Sequence, residues 1–126
     1  MYKRQALSNN IEIRIAAITV LAEQIQAQTN SSAKSSLIKA LSDEASEVRA
    51  EAATMAGKTL EPEDASHQLC KMLKDESVQV RKNTSLALMK MEATEAINQI
   101  REAMTTEQDD QVKSVMSVAV RVLEKS

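Results

Sequence analysis

Aromatic residues, glycine and proline are almost missing from this chain: Tyr2, Gly57 and Pro62 are single occurrences in 126 residues. Strands favour aromatic and β-branched side chains, and the tight turns between them favour Gly, Asn and Pro. Their scarcity excludes a sheet-based fold. Cysteine also occurs once, as Cys70, which excludes an internal disulfide and a multi-cysteine zinc site. A single histidine, His67, cannot build a histidine-based metal centre. No apolar run approaches the ~18 residues of a membrane span, and the start lacks the charged-then-apolar pattern of a leader. The net charge is −2, so no overall basic field recruits nucleic acid or an anionic membrane. Metal, cofactor, nucleic acid and membrane are all expected to be absent from the function, and the localisation is expected to be cytoplasmic.

What remains is rich in Ala, Glu, Lys, Leu, Met and Gln, the good helix formers. The composition predicts an all-α fold with a core of Ala, Val, Ile, Leu and Met, and small side chains that let helices approach closely.

The chain also repeats itself. "LSDEASEVRAEAATMA" (Leu41 to Ala56) returns as "LKDESVQVRKNTSLAL" (Leu73 to Leu88) at an offset of 32 residues. Val48-Arg49 becomes Val80-Arg81 and then Val112-Lys113, while Asp43 becomes Asp75 and then Glu107. Upstream, Ile13-Arg14 matches Val48-Arg49 in a copy with a one-residue deletion and a longer first helix. A period of this size marks a helical solenoid, in which a two-helix unit buries its apolar face only by stacking on the next.

Each unit divides in two. In the second, a helix over about residues 45–58 carries Val48, Ala52, Met55 and Ala56 on one stripe. Gly57 stands where a C-terminal cap is wanted. Pro62, followed by Glu63 and Asp64, opens the next helix. Asn30, Ser31 and Ser32 are candidate caps in the first unit. Seven main helices follow, in repeats over residues 10–42, 45–74 and 77–105 and a partial one over 109–126. "SVAVRV" near the end alternates like a strand, but its in-register Val-Lys start favours helix.

The pattern L-x-D-E-x-x-x-V-R, followed by a small-residue helix, a short turn and a second helix, resembles the HEAT repeat, an armadillo-like scaffold. It is most similar to the short bacterial type found in phycobilisome lyases. The resemblance implies a right-handed α-solenoid, with the first helix of each unit on the outer face and the second on the inner, concave face. It also implies an aspartate–arginine ladder between turns, here Asp43 with Arg49 and Asp75 with Arg81; Glu107 and Lys113 depart from it. Met1 to Gln5, "MYKRQ", resemble the translation of a sequencing adapter and stand apart from the helical pattern. With broad apolar surfaces at both ends, they lead to the expectation of a fragment of a longer array, able to self-associate through its end repeats.

No nucleophile–base or metal-ligand constellation converges, so the chain is not expected to be an enzyme. His67 reads as a surface residue and Cys70 as a half-buried, inert thiol. Lys39, His67, Lys71, Lys74 and Arg101 fall on successive second helices and are the candidate partner-binding residues of the concave face. The leading expectation is a scaffold that binds a protein or peptide. The alternatives are part of a phycobilin lyase-like protein that handles a chromophore, and a structural arm of a larger protein.

Overall fold

The computed structural model describes the backbone of residues 2–126 and the side chains of residues 10–126. Among them are seven α-helices and no strand: α1 (Tyr2–Ala27), α2 (Ala33–Ala40), α3 (Ser46–Thr59), α4 (Pro62–Lys71), α5 (Val78–Lys90), α6 (Ile97–Met104) and α7 (Asp110–Glu124). Short 3₁₀ turns over Met72–Lys74 and Thr94–Ala96 join α4 to α5 and α5 to α6. Residues 2–5, set apart on sequence, continue the backbone of α1, whereas Met1 lies outside the described residues. The stretch "SVAVRV" is helical, within α7.

The odd-numbered helices form one row. Helix α1 packs on α3, α3 on α5, and α5 on α7. The shorter α2, α4 and α6 line its side, α2 against α1 and α3, α4 against α5, and α6 against α7. The repeated valine explains the stacking. Val48, Val80 and Val112 are 1%, 0% and 0% exposed, at the same point of three successive joints. Leu37, Leu69, Ile100 and Leu123 fill the space between the two rows. A buried aliphatic side chain of this kind contributes roughly 1.5–3 kcal/mol over leaving it in water.

Small residues set how closely the row packs. Helix α3 turns Ala50, Ala53 and Gly57 toward α5 and buries them. Gly57 is not the cap that its place in the sequence suggested. The helix continues past it to Thr59, and a Cβ there would lie 2.7 Å from the Cα of Ala87 and 2.9 Å from its Cβ. Glycine is needed here for the approach of two backbones rather than for a left-handed turn. The left-handed turns belong to Gln28 and Glu92, with φ of 56° and 57°, just past α1 and α5. After α5 the Ala93 N–H reaches the Leu88 carbonyl at 3.0 Å, which closes the helix end in a Schellman-type turn.

Helix starts follow the sequence more closely. Pro62 is the first residue of α4, and Asp64 Oδ2 accepts the Glu61 N–H at 3.1 Å. Ser77 and Asp109 cap α5 and α7 by accepting the N–H of Val80 and Val112. At α2, Asn30 rather than Ser32 supplies the side-chain oxygen, accepting the Ser32 N–H at 3.0 Å.

Candidate functional site

Two surfaces hold the residues singled out on sequence. The first is the ladder. Arg49 follows core Val48, so its side chain leaves α3 at the edge of the buried stripe. Its Nε and Nη2 donate to Asp75 Oδ2 and Oδ1 of the following repeat, at 2.9 and 3.1 Å. Its Nη1 donates to the Asp43 carbonyl at 2.9 Å. Arg81 repeats the arrangement one unit on, with Glu107 Oε1 and Oε2 at 2.8 and 3.0 Å and the Asp75 carbonyl at 2.9 Å. Arg14 begins the series, with both Asp43 oxygens at 3.0 Å.

Each carboxylate also accepts the N–H two residues ahead, Ala45 for Asp43, Ser77 for Asp75 and Asp109 for Glu107. One acid thus holds the turn that enters its own helix and grips the arginine of the preceding repeat.

This corrects the expected pairing. Asp43 does not pair with Arg49, nor Asp75 with Arg81, through their side chains. Within a unit the arginine meets only the main-chain carbonyl of that acid, because its long side chain runs along the stacking direction to the next turn. Arg14, the missed member, was visible as the counterpart of Arg49. The departure at Glu107 leaves the rung intact, since the longer acid still presents two oxygens to Arg81, and its side chain is only 2% exposed. Lys113, at the arginine position of α7, is exposed and has no ion-pair partner among the described residues.

Burial opposes the charge on Asp43, Asp75 and Glu107. The arginine hydrogen bond and the backbone N–H outweigh it and hold all three carboxyls below their ordinary values. The ladder is therefore a set of matched charges, chemically quiet at neutral pH.

The second surface is the row of even-numbered helices. Lys39 lies in the last turn of α2, His67 and Lys71 on α4, Lys74 in the following 3₁₀ turn and Arg101 on α6, all exposed. They do not form a continuous basic strip. Lys74 pairs with Glu102 of α6 at 2.9 Å, and Arg101 pairs with Glu124 of α7. Lys34 reaches from α2 to Asp64 of α4 at 3.4 Å. Lys39, His67 and Lys71 keep no ion-pair partner among the described residues. Neighbouring helices of this row are bridged by polar pairs, Gln68 to Ser42 at 3.1 Å and Ser66 to Glu95 at 3.2 Å.

The hollows are open notches. One of about 290 Å³ lies beside the last rung, between Asp75, Glu76, Arg81, Glu107 and Gln108. Another of about 560 Å³ lies between α6 and α7, against Glu95, Asn98, Arg101 and Glu124. Cys70 is half-buried, and burial, then the nearby Glu95, pushes its thiol up. Among the described residues no three His, Cys, Asp or Glu side chains are grouped to hold a metal, and no helix is long and apolar enough to cross a membrane.

Comparison with known proteins agrees with this architecture. A family model described as HEAT repeats matches residues 4–67 and 34–121. The chain is similar to the "Bilin biosynthesis protein MpeU" of Synechococcus sp. (strain WH8020), with 50% identity over 118 residues. That alignment covers 94% of this chain and 40% of the relative, so the chain spans less than half the length of the protein it matches.

Proposed function

The chain belongs to the HEAT-repeat family, and on that premise we propose that it is the protein-docking stretch of a bilin-handling protein. Its role in this reading is to hold the protein that receives or carries the bilin. The observation that carries the proposal is the 50% identity to a bilin biosynthesis protein along nearly the whole chain. The exposed face of α2, α4 and α6 supports it, with Lys39, His67 and Lys71 uncommitted to internal pairs while Lys74 and Arg101 are held in place by acids. A rigid row of helices behind that face keeps its side chains at fixed spacing, which lowers the ordering cost of binding.

The reading assigns recognition rather than bond-making to these residues. A thiol pushed up by burial, as at Cys70, is a poor nucleophile at neutral pH. His67 stands exposed, with no side-chain hydrogen bond among the described residues to orient its imidazole as a base. The localisation that goes with the reading is cytoplasmic.

Two titrations test it: the chain against an apo bilin-accepting phycobilisome subunit by calorimetry, and against free bilin by absorbance. Saturable binding to the apo-subunit, lost on Lys39→Glu with Lys71→Glu, supports docking. A bilin spectral shift with the chain alone moves the reading to direct chromophore handling. Silence in both titrations overturns it.

A further inference from the structure

The joint between α3 and α5 is held differently toward its two ends. At the helix starts the tie is ionic. Arg49 clasps both oxygens of Asp75 at 2.9 and 3.1 Å, and within its own repeat it is fixed to the Asp43 and Glu44 carbonyls at 2.9 and 3.1 Å. Toward the helix ends the tie is steric. Gly57 lies so near Ala87 that a Cβ would stand 2.7 Å from the Ala87 Cα, so two backbones touch with no side chain between them. Midway, Asn83 Nδ2 donates to the Ala50 carbonyl at 3.0 Å.

These restraints respond differently to change. A contact between backbones has no rotamer to alter, so it fixes one separation. The clasp is made of side chains and is lost when either charge is removed. The combination is particular to this joint. At the position of Gly57, α5 carries half-buried Met89 one repeat on, and α1 carries Ala22 one repeat back. Buried Val48 and Val80 keep the joint packed when the clasp opens, so its motion is a tilt rather than a separation.

The ionic end is also the end that meets the even-numbered row. Helix α2 leads directly into α3, and α4 with its 3₁₀ turn leads directly into α5. Asp43 and Asp75 sit in these two connections. Lys39 and Lys71, in the last turns of α2 and α4, stand just ahead of them. The distance between the two lysines therefore follows the distance between the starts of α3 and α5.

We propose that the α3–α5 joint is a hinge, with the Gly57–Ala87 contact as its pivot and the Arg49–Asp75 clasp as its latch, and that the latch sets the separation of Lys39 and Lys71. Arg49 and Asp75 are then positioning residues for the even-numbered face. That the two lysines dock a partner rests on the function proposed above. Their separation does not, so it is measured in the free chain.

Spin labels on cysteine pairs test the hinge by dipolar EPR in a Cys70→Ser background, with circular dichroism confirming the fold of each variant. One pair replaces exposed Lys39 and Lys71; the other replaces exposed Lys58 and Lys90, in the last turns of α3 and α5. Asp75→Asn keeps an oxygen for the Ser77 N–H while removing the charge. It and Arg49→Met should each lengthen the 39–71 separation by about 2 Å or more and leave 58–90 unchanged. Asp75→Glu should keep the wild-type separation, because Glu107 already clasps Arg81 with both oxygens. An unchanged 39–71 separation in either latch-free variant overturns the proposal. So does lengthening of both pairs together, which marks a joint that loosens as a whole, or a shift in Asp75→Glu equal to that in Asp75→Asn.

Discussion

The two rows of helices are joined by different physics. In the odd-numbered row the joints are buried and close: Ala50, Ala53 and Gly57 against α5, a repeated buried valine, and arginines clasping a carboxylate of the next repeat at 2.8–3.1 Å. In the even-numbered row the links are exposed polar pairs such as Lys34–Asp64 and Lys74–Glu102, with side chains 26–71% exposed. Exposed pairs of that kind are worth about 0–1 kcal/mol each. The stacking of one unit on the next is therefore concentrated in the odd-numbered row; the even-numbered helices are anchored to it by buried Leu37, Leu69 and Ile100, and their outer face is left free to vary.

The sharpest way to break this contrast is Val80→Asp. Val80 is 0% exposed, and an unpaired carboxylate there costs several kcal/mol, roughly 3–5, enough to unfold a domain of ordinary stability. Loss of the helical signal by circular dichroism is the expected result. Arg81→Met comes next. It leaves Glu107, 2% exposed at its side chain, without its cationic partner, at a cost of about 2–4 kcal/mol. Gly57→Ala should cost about 1–2 kcal/mol, since overpacking against Ala87 outweighs the gain in helix propensity. Urea midpoints rank Arg81→Met below Gly57→Ala, and both below wild type.

Acid probes the same row without mutation. The folded state lowers the carboxyl values of Asp43, Asp75 and Glu107. Their contribution is therefore complete above the ordinary values of 3.8 and 4.5 and is lost as pH falls through the lowered ones. Stability should be flat through neutrality and decline below about pH 4.5. Arg81→Met should show a smaller acid decline than wild type, because Glu107 has already lost the partner that lowered its value. An equal decline in both would remove the rung from the explanation.

Thr84→Val should act in the opposite direction. The Thr84 hydroxyl is fully buried on α5 with no hydrogen-bond partner among the described residues. Replacing it with a methyl group of the same shape should stabilise by about 1 kcal/mol.

These residues also mark where periodicity sufficed and where it did not. Val48, Val80 and Val112 could be read from the 32-residue offset because burial at a joint depends on a residue's own helix face. The ladder could be found but not wired: that Arg49 serves Asp75 rather than Asp43 depends on the spacing of successive turns, a relation between units. Gly57 was misplaced for the same reason, since its neighbour Ala87 lies 30 residues on. The candidate face suffered most. Glu102 and Glu124 reach Lys74 and Arg101 from other helices, and the repeat pattern carries no record of such crossings.

The smallest expected effect is the most discriminating. His67→Ala and Lys71→Ala remove exposed side chains of α4 that make no ion pair among the described residues. Each should change stability by less than about 0.5 kcal/mol, the ordinary range for surface sites. Lys74→Ala breaks its bridge to Glu102, yet both partners are more than half exposed, so its cost should also stay under about 1 kcal/mol. Denaturation of the triple variant measures the sum, and calorimetry against the apo bilin-accepting subunit measures what the face does. A variant as stable as wild type that no longer binds keeps the division between rows and places recognition on the even-numbered one. A loss of several kcal/mol would show that this row also holds the stack together, and the contrast between the two rows would fail.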